Sequence, residues 1–371
     1  MNESEEEKMK PQILMLQPYK PGKSPEEIQK EYNVEKVAKL ASNENPFGCS
    51  PRVEKVLQNS FSLCASYPDG AANELREKLA ERLQVKGSQL LFGSGLDEVI
   101  QTISRAMLRE GDNIVTASET FPQYKHHAII EGCEVREVPL KNGEFDLDTM
   151  ANAIDLRTKV VWICNPNNPT GTYVKEEALI HFLRTVPRHT TVVVDEAYYE
   201  YVNKKDFPQT IPLLQEFKNL LVLRTFSKAY GLAAFRIGYA IGNEQLIEKI
   251  NIVRLPFNTS TFAQKAAVTA LEDEEFLQFC VDENKQGLEQ YEESLKELEI
   301  DYYSSQTNFI FICTDDSKMW FEHLIQKGFI VRPFPSGVRI TIGTKEQNAE
   351  VISIIKNLIA VKTPIKAGIS S

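Results

Sequence analysis

The hydrophobic pattern divides the chain into two regions of different character. From about residue 90 to 240, short runs of apolar, β-branched residues alternate with segments of helical period. Such near-continuous apolar runs are typical of strands buried on both faces of a sheet. Their alternation with helices, among them 96–109 and 174–186, predicts an α/β fold with a mainly parallel sheet. The predicted strands are DNIVTA (112–117), KVVWIC (159–164), TTVVVDEA (190–197) and NLLVLRTF (219–226).

The region after residue 243 predicts a smaller α+β unit. Residues 244–298 are charged and helical in period, with a break at LPFNTST. Two further strands are predicted at 307–313 and 337–342, with a helix near 316–327 between them.

A chain of 371 residues is long enough for two domains. We expect an N-terminal arm over residues 1–35 that joins the small domain, a large domain over 36–260 and a small C-terminal domain over 261–371. The arm is punctuated by prolines, and because each proline fixes φ and removes a donor, we expect an extended arm. These prolines are Pro18, Pro21 and Pro25.

Composition and charge narrow the class of protein. The net charge is −10, which argues against a general affinity for nucleic acid or anionic membranes. The acidic N-terminus lacks the apolar core of a secretory signal, and no apolar run approaches the ~18 residues that span a bilayer. The six cysteines include no C-x-x-C pair, and the five histidines lack metal-ligand spacing. We therefore expect a cytoplasmic protein without a structural metal.

Polar and charged residues collect at the predicted carboxyl ends of strands, where α/β sheets bind ligands. CNPNNPTG begins at Cys164, Asp195 closes VVVD, and Ser227 and Lys228 follow LLVLRTF. GSGLDE (93–98) lies between a strand-like LLF and a helix. Each feature alone has a structural explanation, as a proline turn, an N-cap or a surface lysine. Their joint occurrence at successive strand ends instead predicts a site.

The chemistry of these residues suits the cofactor pyridoxal phosphate (PLP). A lysine amine in a mostly apolar pocket can lose its proton and form a Schiff base with an aldehyde. PLP also needs a carboxylate opposite its pyridine nitrogen, a role that Asp195 can fill. For the phosphate, GSGLDE offers backbone N–H groups at a helix N-terminus, while Ser227 and Arg236 offer a hydroxyl and a guanidinium. The residues therefore predict a PLP enzyme with Lys228 as its working amine.

The longer motifs resemble those of a known family. CNPNNPTGT, VVVDEAYYEY and LRTFSKAYGLAAFRIGY are similar to the signature blocks of fold-type I, class-II PLP-dependent aminotransferases, and within them to the histidinol-phosphate aminotransferases. The resemblance covers nearly the whole chain, and implies a large PLP-binding domain with a mainly parallel sheet plus a smaller α+β domain. It also implies reversible amino transfer between L-histidinol phosphate and 2-oxoglutarate in histidine biosynthesis, by a ping-pong cycle. The supporting stretches are LASNENPFG (40–48), SYPDG (66–70), RLPFNTS (254–260), SQTNFIF (305–311) and VRPFPSGVRITIGT (331–344).

The resemblance further implies roles for individual residues. Lys228 would bond the cofactor and move a proton, and Asp195 would pair with the pyridinium nitrogen. Asn168 and Tyr198 would hydrogen-bond the ring oxygen, and Tyr124 would stack on the ring. The catalytic group would be Lys228, Asp195 and Tyr198. The phosphate would be held by Gly95, Leu96, Asp97, Ser227 and Arg236, with Tyr67 reaching the neighbouring subunit's cofactor across a homodimer interface. Substrate would be bound by Tyr19, Asn43, Arg332 and Arg339.

The chain departs from the family pattern at two of these places. The family often has a small residue where Leu96 stands and a glycine where Ala234 stands. Leu96 still offers its backbone N–H to a phosphate, whereas Ala234 with Phe235 is expected to alter the wall near Arg236.

The sequence leaves other activities open. An aromatic-amino-acid aminotransferase, or an enzyme of dual specificity, would need a site of similar shape and charge. Decarboxylation of an amino-acid phosphate is a second alternative. A PLP-binding transcriptional regulator would need a DNA-binding module and a basic patch, whereas the stretch before the first predicted domain is acidic.

Overall fold

The structure is a computed structural model that describes residues 8–18 and 24–362. The strands in this part of the chain are β1 Ala38–Lys39, β2 Leu90–Gly93, β3 Asn113–Ala117, β4 Glu134–Val138, β5 Thr158–Cys164, β6 Thr191–Asp195, β7 Leu220–Thr225, β8 Gly238–Gly242, β9 Tyr302–Tyr303, β10 Phe309–Cys313, β11 Phe329–Ile330, β12 Arg332–Phe334 and β13 Gly337–Thr341. The helices are α1 Pro25–Tyr32, α2 Pro51–Gln58, α3 Asn73–Leu83, α4 Gly95–Met107, α5 Gln123–Ile130, α6 Leu147–Asn152, α7 Glu176–Thr185, α8 Thr210–Leu213, α9 Glu244–Asn251, α10 Thr261–Leu271, α11 Glu274–Glu297, α12 Ser317–Ile325 and α13 Lys345–Lys362.

A seven-stranded sheet dominates the described residues, in the order β2-β8-β7-β6-β5-β3-β4. Strands β4, β3, β5, β6 and β7 are parallel, whereas β8 is antiparallel to both of its neighbours. Every residue of β6, β7 and β8 is buried, as the near-continuous apolar runs predict for strands covered on both faces. The prediction of an α/β fold with a mainly parallel sheet is confirmed.

The order of the sheet determines where a ligand can bind. Strands β5, β6 and β7 are adjacent, so their last residues, Cys164, Asp195 and Thr225, lie at one edge of the sheet. Helix α4 starts at this edge directly after β2 and packs one apolar face inward. The buried positions of that face repeat with helical period: Leu96, Val99, Ile100 and Ile103.

A second sheet and a second core lie toward the C-terminus. Among the described residues, four antiparallel strands pair in the order β12-β13-β10-β9. Side chains from β10, β13 and helices α11 to α13 form the core, including Tyr291, Trp320, Ile340 and Ile355. Strand β1 pairs in parallel with β11, which ties the segment before the main sheet to this second unit. The domain boundaries at residues 35/36 and 260/261 stay predictions.

The expectation of an extended arm is wrong over residues 25–32, which form helix α1. Ser24 accepts a hydrogen bond from the backbone of Glu27, and the Glu27 side chain accepts one from the backbone of Ser24, so the helix has a complete capping box. Pro25 occupies the first helical position, where a missing N–H costs nothing. Ile28 packs against Ile325 and Ile330 of the second unit.

Candidate active site

Eleven of the predicted site residues line one cavity of about 420 Å³ at the carboxyl edge of β5, β6 and β7. Side chains from the main sheet form its floor, and residues of β12 and β13 form its opposite wall. The predicted residues in its lining are Asn43, Leu96, Asp97, Asn168, Asp195, Tyr198, Ser227, Lys228, Arg236, Arg332 and Arg339.

Lys228 lies three residues after the end of β7 and points its amine into the cavity. Its Nζ donates a hydrogen bond to the Ser42 carbonyl at 3.2 Å and lies 5.8 Å from the centre of the Tyr198 ring. Burial of the amine, assisted by the positive charge of Arg339, lowers the pKa of Lys228 to about 8. A lysine in this environment is neutral in a useful fraction of molecules near physiological pH, which a nucleophilic amine requires.

Asp195 closes β6 and is 3% exposed. Its Oδ2 accepts a hydrogen bond from the Tyr124 hydroxyl at 2.7 Å, and its Oδ1 accepts one from the backbone N–H of Ala197 at 3.1 Å. Burial raises the pKa of Asp195 to about 6, while both hydrogen bonds act in the opposite direction. The carboxylate is therefore ionised at neutral pH and can hold a proton on a partner atom in the cavity.

Tyr124, the predicted stacking residue, is buried next to Asp195 and is not part of the cavity lining. Its ring is fully buried and stacks on Trp162, with centroids 4.7 Å apart and an interplanar angle of 8°. Tyr124 is absent from the cavity lining, which contains Phe121 instead. The predicted stacking role of Tyr124 stays a prediction, while its hydroxyl is bound to Asp195 and its ring lies on Trp162. Phe121 was missed, although it lies in the same FPQY motif.

Asn168 and Tyr198 each accept a hydrogen bond from another polar side chain in the cavity lining. The guanidinium of Arg339 donates to Asn168 Oδ1 and, at 2.6 Å, to the Ala41 carbonyl. Asn43 Nδ2 donates to the Tyr198 hydroxyl at 2.9 Å, which leaves the hydroxyl hydrogen free to point toward the cavity. Asn43 therefore contacts Tyr198, one of the predicted cofactor contacts, directly.

The start of α4 and Arg236 form a cradle suited to a phosphate. Arg236 has a left-handed backbone (φ 54°), and its Nη2 lies 3.3 Å from Asp97 Oδ2. A Cβ on Gly95 would lie 2.5 Å from Arg236 Nη2, so a larger residue here would push the guanidinium out of this position. Backbone N–H groups at a helix N-terminus, a guanidinium and the Ser227 hydroxyl are donors of the kind that bind phosphate.

The two departures from the family pattern leave this cradle intact. Leu96 lines the cavity while its backbone remains in the first turn of α4. Ala234 lies in a short 3₁₀ turn, Ala233–Phe235, and is not among the described residues with positive φ. A side chain at position 234 therefore carries no backbone strain.

Three further predicted site residues are Arg332, Tyr67 and Tyr19. Arg332 lines the cavity from the exposed end of β12. Tyr67 is 83% exposed, stacks on Phe257 with centroids 4.9 Å apart, and is absent from the cavity lining. Tyr19 lies outside the described residues, so its predicted role stays a prediction.

Residues 8–18 and 24–362 also bear on metal binding and on membrane insertion. In this part of the chain, no group of three or more His, Cys, Asp or Glu side chains could hold a metal ion. Within the same ranges, no helix combines the length and the apolar character needed to cross a bilayer.

The fold and the cavity together define an aminotransferase, and comparison with known proteins agrees. Residues 35–355 match the family of class I and II aminotransferases. The chain belongs to this family. Among solved structures, it is similar to a putative histidinol-phosphate aminotransferase from Erwinia carotovora atroseptica, with a TM-score of 0.84 and 26% identity over 88% of this chain and 97% of that one.

Curated relatives are similar at much higher identity. Histidinol-phosphate aminotransferase 2 of Bacillus cereus (strain ATCC 10987 / NRS 248) is 61% identical over 94% of this chain and 95% of its own length. Histidinol-phosphate aminotransferase 1 of the same strain is 58% identical over 95% and 97%. The histidinol-phosphate aminotransferase of Sinorhizobium meliloti, solved in complex with pyridoxal-5'-phosphate, shares the fold with a TM-score of 0.86 at 23% identity, over 96% of this chain and 98% of that one.

Proposed function

We propose that this chain transfers the amino group of L-histidinol phosphate to 2-oxoglutarate, with PLP as its cofactor. The observation that carries the proposal is the cavity itself, in which a lysine of lowered pKa, a buried carboxylate and two arginines face one another. The two relatives at 58–61% identity carry the same enzyme name. The proposed function belongs to histidine biosynthesis, and we propose the cytoplasm as its location.

The residues of the cavity fit PLP. The phosphate would bind at the Gly95–Asp97 turn with Ser227 and Arg236, where the Cβ-free position of Gly95 leaves room for the guanidinium. Asp195 would hold the proton on the ring nitrogen, and Asn168 and Tyr198 would bind the ring oxygen. We assign the stacking role to Phe121, the aromatic ring beside the cavity floor. When bound, PLP supplies an electron-accepting ring that eases breaking of the substrate Cα–H bond.

Lys228 would act twice in the proposed function. It would hold the cofactor covalently before substrate arrives, because burial keeps part of the lysine population neutral. Once released by the substrate amine, its Nζ would accept a proton and return it on the same face of the cavity. The hydrogen bond to the Ser42 carbonyl orients the amine for both tasks.

Arg339 and Arg332 would select substrates that carry an anionic group. Histidinol phosphate carries a phosphate, and 2-oxoglutarate carries carboxylates. The planar guanidinium can form two parallel hydrogen bonds with either kind of group. Arg339 is 7% exposed and held by Asn168 and Ala41, so it offers a fixed donor, whereas Arg332 is exposed and can adapt. This pairing suits one site that must accept two different anions in turn.

We also propose that the active unit is a homodimer in which Tyr67 contacts the partner's cofactor phosphate. An exposed tyrosine that stacks on Phe257 and does not line its own cavity supports an intermolecular role. A Tyr67→Phe variant should bind PLP several-fold more weakly, and sedimentation should give a dimer.

The test of the activity is glutamate formation from 2-oxoglutarate by the PLP-loaded protein. We expect turnover with histidinol phosphate, with at most slow turnover of phenylalanine. The Lys228→Ala variant, which is expected to fold normally, should lose more than about 10³-fold of this activity, since its nucleophile is gone. Failure to form glutamate from histidinol phosphate, or full activity of Lys228→Ala, would contradict the proposal.

A further inference from the structure

A buried tyrosine stands behind Asp195, on the side away from the cavity. The Tyr124 hydroxyl donates to Asp195 Oδ2 at 2.7 Å, while the backbone of Ala197 donates to the other oxygen. The Tyr124 ring is clamped between the stacked Trp162 and the edge of Phe121, at a centroid distance of 5.7 Å. Tyr124 is fully buried and cannot touch a ligand in the cavity.

We infer that Tyr124 is a positioning residue that keeps Asp195 ionised and correctly oriented for the ring nitrogen of the cofactor. The inference rests on the proposed function, because it assigns Asp195 the task of holding a proton on that nitrogen. Tyr124 binds one oxygen of the Asp195 carboxylate and the backbone N–H of Ala197 binds the other, so the carboxylate has little rotational freedom. Its remaining lone pairs are thereby directed at the cavity.

The electrostatic surroundings explain why a hydroxyl is needed at this place. Burial disfavours the carboxylate, and the negative charges of Asp97 and Glu196 disfavour it further. A hydrogen bond to an ionised acceptor is about twice as strong as one between neutral groups, so the Tyr124 hydroxyl offsets part of this cost. Other titratable groups around Asp195 are Cys164 at the end of β5 and Tyr198 after β6, both with pKa values raised by burial, and Lys228 in the lining of the same cavity.

Elements of the main sheet hold the Tyr124 ring in place. Trp162 belongs to the interior strand β5 and is fully buried, so the plane on which Tyr124 stacks is held by the sheet. Tyr124 stands in the first turn of α5, and β6 and β5 are in register at Cys164 and Asp195. A rigid strand thus fixes both the tyrosine and the carboxylate that it serves.

The experiment removes only the hydroxyl, with Tyr124→Phe. The dissociation constant of PLP, measured by equilibrium dialysis across a pH series, should rise about tenfold or more, as expected for loss of a hydrogen bond to a charged group. The acid limb of PLP binding should move to higher pH by about one unit, because the Asp195 anion becomes harder to form. Tyr291→Phe is the matched control: Tyr291 is fully buried, and its hydroxyl has no hydrogen-bond partner among the described residues.

A second comparison separates positioning from general packing. In an Asp195→Asn background, Tyr124→Phe should change PLP affinity less than about twofold, since no carboxylate remains for the hydroxyl to serve. Wild-type PLP affinity and an unshifted pH profile in Tyr124→Phe would overturn the inference, and so would equal effects in both backgrounds. These outcomes are distinct from failure of the proposed function, which would appear as a wild-type protein that binds PLP but does not turn over histidinol phosphate.

Discussion

Arg332 and Arg339 stand directly opposite each other on the antiparallel strands β12 and β13. Like charges in opposed positions on two strands repel, and both side chains line the same cavity. An anion bound between or beside them would relieve this repulsion, which supports the proposal that the pair recognises substrates with an anionic group.

The first prediction concerns the unequal burial of these arginines. Arg339→Gln should lower kcat/KM by about 100-fold for both histidinol phosphate and 2-oxoglutarate, because a buried, hydrogen-bonded cation is lost. Arg332→Gln should lower it by less than about tenfold, because an exposed charge is screened by solvent. Steady-state kinetics with each substrate varied in turn measures both values. Equal losses in the two variants would contradict the assignment of Arg339 as the fixed anion donor.

The second prediction follows from the environment of Lys228. In the cofactor-free protein, acylation of Lys228 by an amine reagent should rise with pH to a midpoint of about 8, far below that of an ordinary lysine. Only the neutral amine is a nucleophile, so the rate of acylation is low below this pH and reaches a plateau above it. Arg339→Gln should raise the midpoint, since the Arg339 charge contributes to the lowered pKa. Peptide mass spectrometry of the labelled residue provides the readout, and a midpoint above pH 10 would refute the prediction.

The third prediction links Asp195 to stability. The pKa of Asp195 in the folded protein is raised to about 6. The cofactor-free protein therefore carries a destabilising buried anion above that pH, and this destabilisation is lost as the pH falls toward 4. Cofactor-free Asp195→Asn should therefore match or exceed the wild type in melting temperature at pH 8. The difference should shrink as the pH is lowered to about 4, below which Asp195 is protonated in both the folded and unfolded states. With PLP bound, the order should reverse, and an unchanged order would argue against Asp195 as the partner of the ring nitrogen.

The fourth prediction tests the phosphate cradle with two glycines of similar backbone. Gly95 and Gly111 both have positive φ, at 77° and 88°, so alanine strains the backbone at either place. Only at Gly95 would the new Cβ meet the Arg236 guanidinium, whereas nothing lies within 4 Å at Gly111. Gly95→Ala should weaken PLP binding at least about tenfold, and Gly111→Ala should lower only the melting temperature. Similar PLP affinity in the two variants would remove Arg236 from the cradle.

Much of this fold is predictable because strands that are buried on both faces of a sheet have near-continuous runs of apolar residues. The apolar runs before Cys164, Asp195 and Ser227 read as strands, and the ends of parallel strands meet at one edge. The antiparallel direction of strand β8 depends on its pairing with β7, which local composition does not reveal. The helix at Pro25 depends on the capping box of Ser24 and Glu27, which the prolines alone do not indicate.

The motifs that form the site could be predicted from the sequence, but the directions of their side chains could not. Phe121 and Tyr124 are three residues apart, and only the start of α5 decides which of them reaches the cavity and which is buried on Trp162. The opposition of Arg332 and Arg339 depends on the register of the β12–β13 hairpin, which is set by the turn between them. The bond from Asn43 to Tyr198 joins residues 155 positions apart and leaves no local signal.

The most direct test of the central claim is a rapid-mixing absorbance measurement on the PLP-loaded protein without a keto acid. Histidinol phosphate and phenylalanine are mixed in separately, and conversion of the bound cofactor to its amine form is followed in a single turnover. The account predicts fast conversion by histidinol phosphate and conversion by phenylalanine slower by at least about 100-fold, since phenylalanine presents a singly charged carboxylate directly on Cα, whereas the phosphate of histidinol phosphate reaches farther toward Arg332 and Arg339 and carries more charge. Equal rates with both, or no conversion by histidinol phosphate, would contradict it.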